Sequence, residues 1–231
     1  MIYIENKKKK KATLLKKYPN AEIIDVSSKG DNPFVKLSPF YPHGEIPIPP
    51  YQNNISNYYS QTVEGIWQGL KVFESEDIDK SKFQIKNMEG IKRTVRKFGK
   101  PLGHRNGIDG KELLDYPAAR KEIYLRAYAW TLENKLQDVI LLLREKALKQ
   151  DLVLLDYNTN EDLEDYSKPL SHAGLVKKYL FKKYPELENL TFALSMEAEK
   201  KPKLPLTKTK RKSKKKTEEN KRIDGIQTTL W

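Results

Sequence analysis

The 231-residue chain contains no cysteine. Disulfide bonds and thiolate metal sites are therefore excluded, and the protein has no need of an oxidising compartment. Histidine is also scarce, because the only three are His43, His104 and His172, which lie far apart in the sequence. Such spacing is not that of a metal site, so we expect neither a catalytic metal nor another cofactor.

Long apolar runs are missing as well. The longest, residues 139–143, is far too short to span a membrane. The lysines near the N-terminus are followed by no apolar segment, so a signal peptide is not expected. We predict a cytoplasmic protein without a membrane partner, with association with the nucleoid or, in a eukaryotic cell, entry into the nucleus as further possibilities.

Positive charge is plentiful but confined to the two ends of the chain. The formal net charge is +13, yet residues 200–222 hold twelve Lys and Arg against two Glu, and residues 1–17 hold seven Lys against one Glu. The part between these segments is slightly acidic. A basic tail with few apolar residues is typical of a disordered segment that binds phosphates without sequence preference. We therefore expect nucleic acid as a non-specific partner of the tail.

Composition and periodicity divide the chain into a folded domain and flexible ends. We predict a basic N-terminal arm that is either frayed or a short helix, an α+β domain, a disordered Lys-rich linker and a terminal peptide, over residues 1–17, 18–190, 191–222 and 223–231 respectively. Within the domain we predict strands at 21–26 and 152–157, one helix or a helix pair at 82–98, helices at 117–149 and 169–184, a Pro- and Tyr-rich loop at 33–61 and a Gly-rich loop at 99–107.

A polar cluster follows the Pro- and Tyr-rich loop. A helix capped by Ser60 or Thr62 would bring Glu64, Gln68 and Lys71 to within about 60° of one another on one face. Trp67 shares that side of the helix. Such a cluster indicates the wall of a pocket, although an exposed amphipathic turn with ordinary side-chain pairing is the alternative.

Several blocks in order resemble the NADAR superfamily. They are Ser38-Pro39-Phe40-Tyr41-Pro42, Glu64-x-x-x-Gln68-x-x-Lys71, a basic helix ending at Gly99, Tyr116 with the helix around Arg120 and Lys135, and Leu154-Leu155-Asp156. The resemblance implies a small, mostly helical α+β fold with a short sheet. It also implies an N-glycosidase, because members act on riboflavin-pathway intermediates or remove ADP-ribose from modified guanine. Residues from about 18 to 182 are more similar still to an uncharacterised bacterial and phage family.

Cleavage of a glycosidic C–N bond builds positive charge on the sugar, which a carboxylate can stabilise while it positions water. With the resemblance, this chemistry makes Glu64, Lys71 and Asp156 the candidate catalytic residues. The candidate substrate-binding residues are Phe40, Tyr41, Trp67, Gln68, Arg96, Lys100, His104, Arg105 and Asp162. For Asp156 the alternative is a carboxylate that holds a loop or caps a helix. For the basic residues it is a solvated surface. For Trp67 it is a place in the core, and for Phe40 and Tyr41 it is a role in anchoring the loop.

The last residues resemble the short peptides that bind DNA sliding clamps. Gln227 would enter a polar slot while Leu230 and Trp231 fill an apolar pocket. A sliding clamp is therefore a candidate partner, and a chance apolar tail is the alternative. The sequence as a whole predicts hydrolysis of an N-glycosidic bond to ribose in modified nucleic acid or nucleotide. A riboflavin-pathway N-glycosidase and a non-catalytic nucleotide-binding module are the alternatives.

Overall fold

The computed structural model describes residues 1–50 and 57–185, which combine helices with short strands. The strands are β1 (Ile2–Asn6), β2 (Ala21–Asp25), β3 (Ile46–Pro47), β4 (Tyr59–Ser60), β5 (Lys71–Phe73), β6 (Pro101–Arg105), β7 (Leu113–Leu114) and β8 (Asp151–Asp156). The helices are α1 (Lys11–Lys17), α2 (Val63–Gly69), α3 (Val95–Phe98), α4 (Tyr116–Ala119), α5 (Arg126–Lys135), α6 (Gln137–Lys149) and α7 (His172–Leu180). The predicted α+β class is confirmed. No helix in this part of the chain has the length and apolarity needed to cross a membrane.

A parallel sheet with the order β1–β8–β2 forms the centre of the domain. Its middle strand contains Leu152, Val153 and Leu154, which are all fully buried. A continuous apolar run is expected where both faces of a parallel strand are covered. Helices α6 and α7 both pack against β8. The predicted strands at 21–26 and 152–157 are thus confirmed with small changes at their ends.

The first 17 residues belong to the fold and do not form a separate arm. Strand β1 pairs with β8 along its length, from Ile2 beside Leu152 to Asn6 beside Asp156. The buried carboxylate of Glu5 accepts hydrogen bonds from Lys17 and Tyr18, each 2.8 Å long. Lys9 and Lys17 thus form ion pairs with a buried acid. Only the short-helix alternative, now α1, is confirmed.

Of the predicted helix or helix pair at 82–98 only two short helical segments are present, and the predicted loop at 99–107 is wrong in part. Residues 82–98 contain the end of a 3₁₀ helix (Lys80–Gln84) and the single turn α3. Residues 101–105 form β6, which lies between β5 and β7 in an antiparallel sheet. Gly103 suggested a loop, but a Cβ at this position would collide with the carbonyl oxygen of Leu114. Glycine is therefore needed for the close approach of β6 and β7.

The long helical region begins as predicted and has two irregularities. The carboxylate of Asp115 caps it by accepting a hydrogen bond from the backbone N–H of Ala118 at 2.8 Å. A π-helical turn (Arg120–Leu125) joins α4 to α5, and Leu136 separates α5 from α6. Ile123 and Leu132 of this region lie in the core.

Between residues 33 and 61, where a loop is predicted, the described part contains a 3₁₀ helix (Phe34–Leu37) and the short pair β3–β4. Residues 51–56 lie outside the described part. The predicted linker at 191–222 and the terminal peptide at 223–231 also lie outside it.

Candidate active site

A cavity of about 620 Å³ opens at the carboxyl ends of β2 and β8. Ser27 and Ser28 follow β2, whereas Tyr157 and Asn158 follow β8, and all of them line the cavity. The opposite wall comes from α2, β5, β6 and the π-helical turn. The size is in the usual range for small-molecule sites, and the edge where parallel strands end is a common location for them.

Helix α2 carries the polar cluster into this cavity. Its first turn is capped by Thr62, whose hydroxyl accepts a hydrogen bond from the backbone N–H of Gly65 at 2.7 Å. Ile66 and Leu70 are fully buried in the core. Glu64 and Gln68 therefore face the cavity, where only 8% and 6% of their surfaces are exposed. The predicted pocket beside α2 is present.

Gln68 holds the Glu64 carboxylate in position. Its side-chain NH₂ donates to Glu64 Oε1 at 2.8 Å, and its Oε1 accepts from the backbone N–H of Arg93 at 3.0 Å. The two contacts define which way the amide points. Arg93 is anchored in turn through donation to the carbonyl oxygens of Lys71 and Asp77. The side-chain amide of Gln68 therefore fixes the orientation of the Glu64 carboxyl group.

The buried carboxyl group of Glu64 stays protonated to a higher pH than a carboxyl group in solvent does. Burial raises its pKa, while the hydrogen bond from Gln68 and the charges of Lys71 and Lys92 oppose this effect without cancelling it. Its second oxygen, Oε2, has no hydrogen-bond partner among residues 1–50 and 57–185. A ligand or a reacting water can therefore approach that oxygen.

Lys71 reaches the cavity from a strand and not from the helix. Because α2 ends at Gly69, Lys71 is the first residue of β5, contrary to the prediction. Its ammonium lies 5.5 Å from the centroid of the Trp67 ring. Burial lowers the pKa of Lys71, and the negative charge of Glu64 only partly offsets this. An ammonium with a lowered pKa gives up its proton more readily.

Asp156 and His172 form a buried ion pair at the other end of the cavity. Asp156 Oδ2 accepts hydrogen bonds from Ser171 Oγ at 2.8 Å and from His172 Nδ1 at 3.0 Å. His172 Nε2 lies 2.8 Å from the carbonyl oxygen of Val26. Both ring nitrogens therefore face acceptors, which requires an imidazolium. Burial opposes both charges, yet their mutual attraction lowers the pKa of Asp156 and raises that of His172.

Aromatic rings form the wall between these two ends. Trp67 lies over His104 with 3.8 Å between ring centroids, and it meets Tyr116 and Tyr124 edge-on at 5.9 Å. Burial, aided by the charge of Lys71, lowers the pKa of His104 to about 3. His104 is thus a neutral ring that packs beneath Trp67, and a role in binding phosphate through its charge is not supported.

Arg120 stabilises the acidic loop that follows β8. Its guanidinium lies 4.8 Å from the ring centroids of both Tyr116 and Tyr166. It also donates to the carbonyl oxygens of Asp165 and Lys168 at 2.9 and 2.8 Å. Although Arg120 lines the cavity, both of its terminal NH₂ groups donate to protein oxygens. Its evident role is to attach the loop to the helix.

The structure brings together most, but not all, of the predicted site residues. Phe40, Glu64, Trp67, Gln68, Lys71, His104 and Asp156 line the cavity. The lining does not include Tyr41, Arg96, Lys100, Arg105 and Asp162. Arg105 instead forms an ion pair with Asp77 at 2.8 Å, and Asp162 accepts a hydrogen bond from the backbone of Glu164. Gln227, Leu230 and Trp231 lie outside the described residues.

Lys92 and Tyr124 line the cavity but are absent from the predicted site. The ammonium of Lys92 lies 5.3 Å from the centroid of the Phe40 ring. Tyr116, Arg120 and Tyr124 recur every four residues, so their positions on one helical face could have been inferred from spacing. Lys92 precedes α3 in an irregular segment, and no periodic pattern marks it.

A family model described as "Family of unknown function (DUF6939)" matches residues 6–176. The chain belongs to this family. Every residue that lines the cavity, from Ser27 to His172, falls within the matched range. The DUF6939 match begins at Asn6, the last residue of β1, and therefore includes all of α1. No curated protein matches the chain, and no solved structure matches it.

Proposed function

We propose that the protein is a hydrolase that cleaves an N-glycosidic bond to ribose, in ADP-ribosylated nucleic acid or a related modified nucleotide. The observation that carries this proposal is the buried Glu64 carboxyl, oriented by Gln68 and flanked by Lys71 and Trp67 in a cavity of about 620 Å³. The order of the sequence blocks that resemble the NADAR superfamily supports the same reaction and a fold of that type.

In this mechanism the Glu64 carboxylate accepts a proton from a water molecule, while the oxygen of that water attacks C1′ of the sugar. The C1′–N bond breaks, and its electron pair goes to the departing nitrogen. The Lys71 ammonium supplies the proton that this nitrogen takes up. The net reaction adds one water across the bond. The raised pKa of Glu64 and the lowered pKa of Lys71 bring both groups closer to the pH at which proton transfer is most effective.

The aromatic wall supports a nucleobase as part of the substrate. Trp67 presents an extended ring next to the reacting groups, and aromatic side chains bind planar bases by stacking. The basic tail supports a polymer as the natural substrate, since a long cationic segment raises the local concentration of a polyanion. By the same reasoning we propose nucleic acid, and through the terminal peptide a sliding clamp, as partners.

Turnover by the full chain tests the proposal. ADP-ribosylated DNA, unmodified nucleotides and riboflavin-pathway intermediates are incubated with the wild type and with Glu64→Gln, and released product is measured by chromatography. We expect release from a ribosylated substrate and a rate at least about 100-fold lower in Glu64→Gln, because the amide cannot accept the proton.

Glu76→Gln serves as the matched control, since Glu76 is exposed and does not line the cavity. Its rate should equal that of the wild type. Equal rates for Glu64→Gln and wild type, or no release from any of these compounds, contradict the proposal. A riboflavin-pathway activity is distinguished by deletion of residues 200–231, which should slow release from DNA and leave release from a small intermediate unchanged.

A further inference from the structure

Tyr124 projects into the cavity from the π-helical turn between α4 and α5. A π-helical turn places one extra residue in the helix, and such turns recur at functional sites. The Tyr124 ring packs edge-on against Trp67 at 5.9 Å and stacks on Tyr128 at 6.2 Å between centroids. These neighbours fix the direction of the phenol.

The hydroxyl of Tyr124 differs from those of its neighbours in having no hydrogen-bond partner within the described part of the chain. Tyr128 donates to the carbonyl oxygen of Leu37 at 2.7 Å, and the Tyr116 hydroxyl accepts from Arg120 at 2.9 Å. Among residues 1–50 and 57–185, no hydrogen bond engages the Tyr124 hydroxyl. A tyrosine hydroxyl removed from solvent usually has a hydrogen-bond partner. The half-buried Tyr124 has none among these residues, so its hydroxyl is available to a ligand.

The surroundings of Tyr124 keep its hydroxyl protonated. Burial raises the pKa of the phenol well above its ordinary value, and the negative charges of Glu64 and Asp156 add to this effect. The group is thus a constant hydrogen-bond donor. The free Glu64 Oε2 is an acceptor in the same cavity.

A donor and an acceptor that face one cavity complement a group that both accepts and donates. An alcohol does this through a single oxygen, whereas an ionised phosphate oxygen or a carbonyl oxygen has no proton to donate and a C–H group would satisfy neither partner. The sugar of a ribonucleoside presents such alcohols next to its glycosidic bond.

We propose that Tyr124 is a specificity-determining residue, which donates a hydrogen bond to a ribose hydroxyl and so selects ribosyl over deoxyribosyl ligands. This inference rests on the proposed function, since it concerns the ligand of the same cavity. A hydroxyl held in this way would also place C1′ of the sugar beside Glu64.

Binding measurements on the full chain test this inference. The four ribonucleosides and their 2′-deoxy and 3′-deoxy analogues are titrated into the wild type and Tyr124→Phe, and dissociation constants are obtained by calorimetry. We expect the wild type to bind a ribonucleoside about tenfold more tightly than the analogue that lacks the contacted hydroxyl. Tyr124→Phe should bind the ribonucleoside about tenfold more weakly and the analogue equally well, so that the preference disappears.

Tyr128→Phe is the matched control, because it removes a hydroxyl from the same helical region that is bound to Leu37 and not to a ligand. It should lose stability and retain the ribose preference. Tyr124→Phe keeps its ring contacts, so its thermal midpoint should match that of the wild type.

Three results would overturn the inference: a ribose preference that persists in Tyr124→Phe, an equal loss of affinity for both ligands, or no saturable binding of any ribonucleoside by the wild type. If Tyr124→Phe loses the ribose preference but no compound is cleaved, the inference holds and the proposed hydrolase function is wrong. If a compound is cleaved but Tyr124→Phe keeps the ribose preference, the hydrolase function holds and the inference is wrong.

Discussion

At the scale of single residues, the cavity wall holds its buried acids by different means. Glu64 has one amide donor and a free oxygen, whereas Asp156 is tied to an imidazolium and to the Ser171 hydroxyl. A carboxylate with its ion pair in place is a poor proton acceptor at neutral pH. Of the two acids, Glu64 is therefore the one with an oxygen free to accept a proton, whereas Asp156 is bound to the first residues of α7.

The Asp156–His172 pair predicts a stability effect with a defined pH dependence. The folded pKa of His172 is raised above 6.5, so its stabilisation is complete below that pH and is lost as pH rises through the folded pKa. The folded pKa of Asp156 is lowered below 3.8, so its contribution is lost only in stronger acid. His172→Gln should therefore cost about 3 kcal/mol near pH 5 and less at about pH 9, as measured by urea unfolding.

His43→Gln is the matched control for this experiment. Burial lowers the pKa of His43 to about 4, so protonation weakens the wild-type fold as pH falls below 6.5. The cost of replacing His43 should shrink in acid, opposite in sign to the trend for His172. The same trend for both variants would rule out a buried imidazolium at His172.

Sequence reasoning at this scale worked for residues with a local pattern. Glu64, Trp67 and Gln68 share a helical face and were predictable from spacing. His172 lines the cavity because the segments that follow β2 and β8, which are far apart in the sequence, meet at one edge of the sheet. No local sequence pattern predicts that position.

At the scale of elements, α2 approaches its neighbour through glycines. Helix α2 packs against the 3₁₀ helix Lys80–Gln84. A Cβ on Gly65 would lie 2.7 Å from the carbonyl oxygen of Lys82, and one on Gly69 would overlap the ring of Phe83. The absence of side chains at these two positions allows the close packing that holds α2 in place, with Glu64 and Gln68 on its adjacent, cavity-facing side.

Gly69→Ala should destabilise the protein by about 2 kcal/mol, because the added methyl overpacks the contact with Phe83. Urea unfolding measures the loss. Phe83→Leu in the same chain should relieve part of it, so that the double variant is more stable than the sum of the single effects predicts. Strictly additive costs would show that the two positions do not touch.

The predicted elements were most accurate where periodicity was long. The helical region from Tyr116 to Lys149 and the strand β8 both have extended apolar patterns and were largely predictable. Strand β6 was not, because Pro101 and Gly103 are typical of loops and only the pairing with β5 and β7 explains them. Strand β1 was not predicted, because the lysines that follow it are typical of a charged N-terminal arm.

At the scale of the whole molecule, β1 completes the central sheet and should be needed for stability. Deletion of residues 1–6 should lower the thermal midpoint by more than about 10 °C, because it uncovers one edge of β8 and the apolar side chain of Leu152. Circular dichroism during heating gives the midpoint. Replacement of the exposed Lys8, Lys10 and Lys11 by Gln is the control and should change little. A midpoint unchanged by the deletion would restore the interpretation as a dispensable arm.

The position of β8 between β1 and β2 also constrains how the protein is made. On a translating ribosome, both outer strands emerge early but have no partner until residues 151–156 leave the exit tunnel. Because pairings so distant in sequence form slowly, the nascent chain carries unpaired edges for most of its synthesis. The two sides of the cavity floor, and with them any capacity to bind a ligand, come into existence only when that late segment arrives.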